Sequence, residues 1–328
     1  LKKWLKRDFA FPEYLQQYSH LNLFPLPVRL SNLLIEFPAL FSNHLESYFK
    51  QADIVHGTNY AVLPSRKSRR VITIYDLTFI KHPEFTNSTV GAYTNRLKKC
   101  LRWTDLILTI SHSSKQDIVE YLNVDPDRVW VTHLASRYQV DQPLPDRFFS
   151  KPYVLFVSTI EPRKNIRSLI SAFEYLKQNY KIEHELVLIG QKGWLYEPIF
   201  AQIERSPYRS DIKHLDYLPD DQVMQFYRNA EVFVYPSHYE GFGMPVLEAM
   251  TLGAPVVTTN ISSLPEIAGE AALFVEPNAI EDLAETILNV IHDRTLRENL
   301  IQKGKEQAKL YSWEKTAEET LKAYRSIL

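Results

Sequence analysis

"EGFGMPVLEAMTLGAPVV", residues 240–257, opens as a glycine-containing loop and runs on into an apolar segment. The strand-like "EVFVYP" (231–236) precedes it, so the stretch reads strand, loop, helix. Pro245 suits the first turn of that helix, where a missing N–H costs nothing. Gly241 and Gly243 allow positive φ and a close backbone approach to a ligand. Unpaired N–H groups at a helix start attract an anion such as a phosphate. Glu240 stands at the strand end and Glu248 on the first turns of the helix. Two acceptor-only side chains thus bracket a phosphate-friendly loop, and each carboxylate is able to accept from two vicinal hydroxyls. Sugar hydroxyls around a phosphate describe a nucleotide sugar.

The same alternation extends outward in both directions. Strand-like runs stand at 53–57, 70–76, 105–111 and 128–134, with helix-like stretches near 87–102 and 112–122. Ser111 suits the N-cap of the second of these helices. Residues 139–152, "QVDQPLPDRFFSKP", hold three prolines without periodicity and read as a linker. The pattern restarts with strands at 153–160, 185–190, 212–218, 231–236, 255–259 and 272–276. It closes on "YSWEKTAEETLKAYRSIL" (311–328), one long amphipathic helix. This is an α/β chain with two Rossmann-like, doubly wound domains facing a cleft. The expected division is 1–145, 146–310 and a terminal helix over 311–328.

Composition narrows the classes. Hydrophobic residues make up 45% and charged residues 23% of 328, which fits globular domains. The single cysteine, Cys100, excludes an internal disulfide framework and fits a reducing compartment. No apolar run of membrane-spanning length and no signal peptide is evident, so a cytoplasmic location is expected. Residues 1–150 carry a net +5 and the remainder −6, which makes the first half the one suited to an anionic surface. Ordinary surface charge is the simpler reading. Neither a dinucleotide fingerprint nor a Walker phosphate loop follows any strand, which weakens dehydrogenase and NTPase readings.

A second cluster sits at another strand end. In "STIEPRKNIRSLISAF", Arg163 and Lys164 open the helix after strand 153–160, where two fixed cations suit a diphosphate. With "EPRKN" and the Glu-x7-Glu segment "EGFGMPVLE" in this order, the chain resembles the retaining glycosyltransferases of the two-domain GT-B architecture, family 4-like or "group 1". The likeness is dense over 151–328 and thinner over 52–135, through "DIVHGTNYAVLP" and "VITIYDLTFIKHPEF". It implies that the terminal helix crosses back to the first domain.

The resemblance assigns roles. Arg163 and Lys164 grip the donor diphosphate, Glu248 binds the ribose, and Glu240 binds the transferred sugar with the backbone of Phe242, Gly243 and Met244. The base lies near Gly190, Tyr217 and Leu218. Ser158 stands where relatives often have glycine, so its phosphate contact falls to a side chain. Asp76 orients acceptor or sugar hydroxyls, or caps a turn. Tyr75 replaces the histidine common before that aspartate. His56 is read as an acceptor-side contact, with structural hydrogen bonding as the alternative. The family's usual first strand and glycine loop are not found in the opening "LKKWLKRDFAFPEYLQQYSH", and are expected to be missing from this chain.

The expected activity is hexosyl transfer from a nucleotide sugar, UDP-glucose first and GDP-mannose second, to a glycan or lipid-linked acceptor. A sugar-nucleotide epimerase and a non-catalytic partner subunit of the same architecture stay open. No cofactor and no metal are expected, because the Asp-x-Asp match, Asp125-Pro126-Asp127, reads as a turn. The basic segments "LKKWLKR", "SRKSRR" and "RLKKCLRW" suit an anionic membrane surface or a solvated face, and nucleic acid is not expected. Glu240→Ala is expected to abolish transfer with the fold intact.

Overall fold

The computed structural model describes residues 35, 37, 46–49, 52–86, 88–139 and 151–328. The opening segment and most of the proline-rich linker therefore lie outside the described residues. The expectation about a first strand and glycine loop, and the basic segment at residues 1–7, also lie outside the described residues.

Two parallel sheets are present. The first has the order β1 (Ile54–Gly57), β2 (Arg69–Thr73), β3 (Leu106–Thr109), β4 (Val129–Val131). The second holds β5 (Tyr153–Val157), β6 (Glu185–Ile189), β7 (Ile212–Leu215), β8 (Val232–Tyr235), β9 (Val256–Thr259) and β10 (Ala272–Val275). Its order is β10-β9-β8-β5-β6-β7. The chain reverses direction across this sheet between β5 and β8, which pair directly. Such a switch point opens a crevice beyond the strand ends, where ligands bind in doubly wound folds.

Every strand expected from the sequence is found, but the runs overshoot at their carboxyl ends. The stretch 70–76 ends as strand at Thr73, and 153–160 ends at Val157. Apolar side chains continue there because the loops turn inward over the core: Ile74 and Ile160 are fully buried. The all-buried patterns of β3, β5, β6, β8 and β9 belong to strands covered on both faces.

In the first domain, α1 (Thr78–Lys81), α2 (Ser88–Cys100) and α3 (His112–Leu122) follow their strands. Ser111 caps α3 as expected, accepting from the Ser114 N–H at 3.0 Å. The second domain adds α4 (Ile166–Tyr180), α5 (Glu197–Arg205), α6 (Asp220–Asn229) and α7 (Met244–Leu252). It continues with α8 (Leu264–Ala268), α9 (Ile280–His292) and α10 (Arg294–Ala308).

The last helix, α11 (Trp313–Arg325), is shorter than 311–328 because Ser312 caps it, accepting from the Lys315 N–H. It crosses back to the first domain. Ala323 packs with Val71, Leu106 and Leu108 of the first sheet. Thr316 donates to the His133 carbonyl, and the Trp130 indole N–H donates to Glu319.

The basic runs are partly structural. Arg70 of "SRKSRR" forms a two-pronged pair with Asp105 at 2.8 Å, and Leu97 and Cys100 of "RLKKCLRW" are core residues. Asp125 caps its own turn by accepting from the Asp127 N–H at 2.9 Å.

One core position is under-satisfied. His184, just before β6, is buried, and neither ring nitrogen has a hydrogen-bond partner. Burial lowers its pKa below the ordinary 6.5, against the pull of Glu231. The folded state therefore resists the proton that the unfolded chain accepts, and stability is lost as pH falls below about 6.5. His184→Leu should stabilise the protein by about 1 kcal/mol at pH 7, and by more at pH 5. Urea denaturation of both proteins at the two pH values checks this; an equal or lower midpoint for the variant would contradict it.

Candidate active site

The crevice between β5 and β8 is where the two loops singled out in the sequence meet. Pro162, Arg163 and Lys164 form a single 3-10 turn after β5, closed by Asn165 at φ 54°. Ser237 to Gly243 follow β8. Because β5 and β8 are neighbours, both loops leave the sheet at the same edge and their side chains interlock.

Glu240 is the centre. Its Oε1 accepts from Lys164 Nζ at 2.6 Å, Ser237 Oγ at 2.8 Å and the Tyr235 hydroxyl at 3.0 Å. Its Oε2 lies 3.0 Å from Arg163 Nη1. Burial by itself raises its pKa, but Arg163 and Lys164 outweigh that and lower it to about 2. Lys164 is equally buried; desolvation opposes its charge, and Glu240 more than restores it.

Hydrogen-bond accounting shows what is left over. Arg163 directs Nε and Nη2 to Glu161 Oε1, and Nη1 to the Tyr239 carbonyl and to Glu240. Lys164 uses two of its three donors, on Glu240 and the Tyr235 hydroxyl. Among the described residues, each cation keeps one N–H for another acceptor. Two carboxylates, Glu161 and Glu240, balance the two cations.

α7 starts beside this cluster. Gly243 precedes it at φ 101°, a conformation that excludes ordinary side chains, and no side chain caps the helix. Glu248 lies within α7, buried, with the Tyr227 hydroxyl 3.2 Å from Oε2 and Arg137 Nε 2.9 Å from Oε1. Burial raises its pKa, with Arg137 and Tyr227 opposing. The two glutamates are thus driven in opposite directions.

The loop is also a domain contact. The Gly241 carbonyl accepts from Ser111 Oγ at 2.7 Å, and the Ser114 hydroxyl lies at 3.1 Å. A Cβ at Gly241 would stand 2.8 Å from the Asp76 Cβ and the Tyr75 carbonyl, so only glycine fits against the first domain. Asp76 is thereby brought to the loop. Its Oδ1 also accepts from the Thr78 N–H at 2.9 Å, the turn-capping role weighed for it. The Tyr75 hydroxyl donates to the Thr58 carbonyl.

Other expected residues fall differently. Tyr217 is 70% exposed and Leu218 half-buried, beyond the end of β7 and near Gly190, whose N–H donates to Leu215. Ser158 N–H is tied to the Ile189 carbonyl. His56 is corrected: Nδ1 meets the Tyr324 hydroxyl at 2.6 Å and Nε2 the Thr73 hydroxyl at 2.8 Å. Nδ1 serves the docking of α11 and Nε2 ties β1 to β2, so the structural alternative replaces the acceptor-side one.

Sequence reasoning missed Glu161, Tyr235, Ser237, Tyr227 and Arg137. Glu161 and Tyr235 stood inside the quoted motifs but carried no signal of their own, and Ser237 follows directly after "EVFVYP". Tyr227 and Arg137 reach Glu248 from distant segments.

Among the described residues one group, His112, His133 and Glu266, brings metal-ligand atoms within 4.8 Å of one another. Its carboxylate is already engaged, by the N–H groups of His112 and Ser113 and by His133 Nε2 at 2.7 Å. It serves to fasten α8 to the start of α3.

With this geometry in hand, the comparisons are unambiguous. Residues 146–307 match glycosyl transferases group 1, and residues 7–135 match glycosyltransferase family 4. The chain is 37% identical over 284 residues to the O-antigen chain mannosyltransferase B of Escherichia coli, covering 84% of this chain and 74% of that protein. It is 30% identical over 259 residues to the serotype-specific mannosyltransferase WbdA of Escherichia coli, covering 72% of this chain and 30% of that longer protein. The sucrose-phosphate synthase of Thermosynechococcus elongatus superposes with a TM-score of 0.72 at 19% identity, over 92% of this chain and 80% of that one. This chain belongs to the group 1 glycosyl transferases and has the GT-B fold.

The cluster revises one expectation. Glu240→Ala would leave Lys164 and Arg163 buried without their common counter-charge, which typically costs about 3–5 kcal/mol. The variant is therefore expected to fold with reduced stability. Glu240 contributes its stability above about pH 4.5 and loses it as pH falls through about 2. Denaturant titration at pH 7 should show the large loss for Glu240→Ala; a wild-type midpoint would mean the cluster is not buried as described.

Proposed function

We propose that this enzyme transfers a mannosyl group from a nucleotide sugar to a glycan acceptor with retention of anomeric configuration. The observation that carries this is the Arg163–Lys164–Glu240 cluster beside the uncapped start of α7, at the switch point of the second sheet. The names of the relatives favour mannose, so GDP-mannose moves ahead of UDP-glucose as the donor to test. A lipid-linked glycan remains the proposed acceptor class, reached by peripheral association. No helix among the described residues is long and apolar enough to cross a membrane.

The residues divide the work by chemistry. Cleaving the bond from the anomeric carbon to phosphate leaves positive charge on the sugar and negative charge on the leaving diphosphate. The spare N–H groups of Arg163 and Lys164, with those of the α7 start, lie where that negative charge grows and stabilise it in the transition state. Glu240 holds both cations in place and keeps room on Oε2 for a sugar hydroxyl. Phe242, Gly243 and Met244 offer backbone to the sugar. Glu248 takes the ribose hydroxyls, and Gly190, Tyr217, Leu218 and Ser158 surround the base and phosphates. Asp76, pressed against Gly241, orients the acceptor or the sugar. The leaving phosphate takes the acceptor proton on the same face. The two cations supply the charge that a metal ion supplies in other transferases.

The deciding experiment incubates the enzyme with GDP-mannose or UDP-glucose and an oligomannoside acceptor, with and without EDTA, and reads the product anomer by NMR. An α-linked mannoside formed in EDTA is the expected result. An inverted product, or loss of activity restored by magnesium, would overturn the reading. Glu248→Ala should raise the donor KM at least tenfold and change kcat little, because the ribose is held equally in ground and transition states. Unchanged KM with a collapsed kcat would remove Glu248 from the ribose.

A further inference from the structure

Glu248 is almost wholly covered, and what covers it on the solvent side is an arginine from outside its domain core. Arg137 follows β4, ahead of the first strand of the second domain. Its Nε lies 2.9 Å from Glu248 Oε1, and its Nη1 lies 3.1 Å from Asp220 Oδ1 at the start of α6. Its guanidinium also rests over the Tyr138 ring, 5.0 Å from the centroid. The Arg137 side chain is 48% exposed, whereas that of Glu248 is 5% exposed. The guanidinium is therefore the outer layer and the carboxylate the inner one. From inside, the Tyr227 hydroxyl occupies the other oxygen at 3.2 Å.

A vicinal diol and a guanidinium make the same demand on a carboxylate. Each presents a pair of donors to its lone pairs from the open side. They cannot both lie on Glu248 in the same direction. We infer that Arg137 is a built-in competitor of the donor ribose: it holds Glu248 in the empty enzyme and is displaced when a nucleoside diphosphate binds. This rests on the assignment of Glu248 to the ribose.

The competition is affordable to the enzyme because the pair is half in water. Exposed ion pairs are worth little, so a ligand bringing many contacts displaces one at a small penalty. The penalty appears as a reduced apparent affinity, scaled by the fraction of enzyme in which Glu248 is free. Two anchors and a ring set that fraction: Glu248, Asp220 and Tyr138. Asp220 acts at one remove, since it touches the arginine and has no assigned contact with the donor.

Calorimetric titration of the full chain with GDP and with UDP tests this. Arg137→Ala should tighten binding of the nucleotide that the wild type prefers by about three- to tenfold. Asp220→Asn, which removes one anchor and keeps the shape, should tighten it in the same direction by less. Donor KM should fall with the dissociation constant while kcat holds. In a Glu248→Gln background the gain from Arg137→Ala should vanish, because a neutral amide no longer retains the arginine. Weaker or unchanged binding in both Arg137→Ala and Asp220→Asn overturns the inference, weaker binding making Arg137 a donor contact. Comparing the double variant Glu248→Gln/Arg137→Ala with Arg137→Ala separates the two levels, since the competitor is absent from both: equal affinity there means the ribose assignment itself has failed. Should Arg137→Ala not fold, Asp220→Asn alone decides, tighter binding supporting the competitor and any other result overturning it.

Discussion

A buried carboxylate between two buried cations sets the terms for the rest of the second domain. Glu240 and Lys164 are both almost fully withdrawn from water, and neither is tolerable there alone. Their mutual pairing requires the loop after β5 and the loop after β8 to close on one another. That is possible only if the two strands are neighbours, although β6 and β7 come between them in sequence. The switch in strand order is thus what makes the charge cluster affordable in geometric terms. The cluster in turn fixes where the crevice lies and which groups face it.

The same loop ties the domains together. Gly241 presents its carbonyl to the hydroxyls at the start of α3 and its bare Cα to Asp76. Next to it, the buried Tyr239 hydroxyl donates to Asp117, which also pairs with Lys81 at 2.8 Å. Glu266 reaches over from α8 to the first N–H groups of α3, where a negative charge is favoured by the helix dipole. Phe85 stacks on His238 with centroids 5.4 Å apart, and the Trp194 indole donates to the Phe85 carbonyl at 2.6 Å. Apart from the Lys81–Asp117 pair, which lies within the first domain, each of these contacts joins the second domain to the first. The relative position of the domains and the shape of the donor loop are therefore one structural variable.

Strand positions were legible in the sequence because β5, β6, β8 and β9 are short β-rich runs separated by amphipathic segments; their order in the sheet was not. The strand ends were less so. Ile74 and Ile160 look like strand residues because they are buried, yet the backbone has already turned. Within the site, Glu240, Glu248, Arg163 and Lys164 announced themselves by spacing and by their place at strand ends. Their partners did not. Arg137 and Glu248 meet across 111 positions, and nothing local to "HLASRYQV" marks a contact with a helix that far away. His56 misled for the opposite reason. It stands at a strand end, where ligands bind, but α11 returns from the far end of the chain to claim one nitrogen, and Thr73 of β2 claims the other.

The two glutamates that bracket the loop end up as different chemical objects. Glu240 receives four donors, two of them cationic, and stays ionised far below neutral pH. A carboxylate held between two cations is a poor base and a poor nucleophile, since its charge is already stabilised by N–H and O–H groups, although Oε2, which meets Arg163, keeps room for a further donor. It cannot act as a proton donor near neutrality either. Its chemistry is that of a fixed negative charge that keeps two cations aimed at the α7 start. Glu248 is pushed the other way by burial and carries only one cation, held from outside. Environments that separate two like groups in this manner assign them separate tasks. In the proposed reaction neither task is acid–base catalysis: one carboxylate organises the charges around the leaving group, and the other offers its lone pairs to the ribose. That division leaves proton transfer without a committed group among these two, which accords with the proposed role of the departing phosphate as the base.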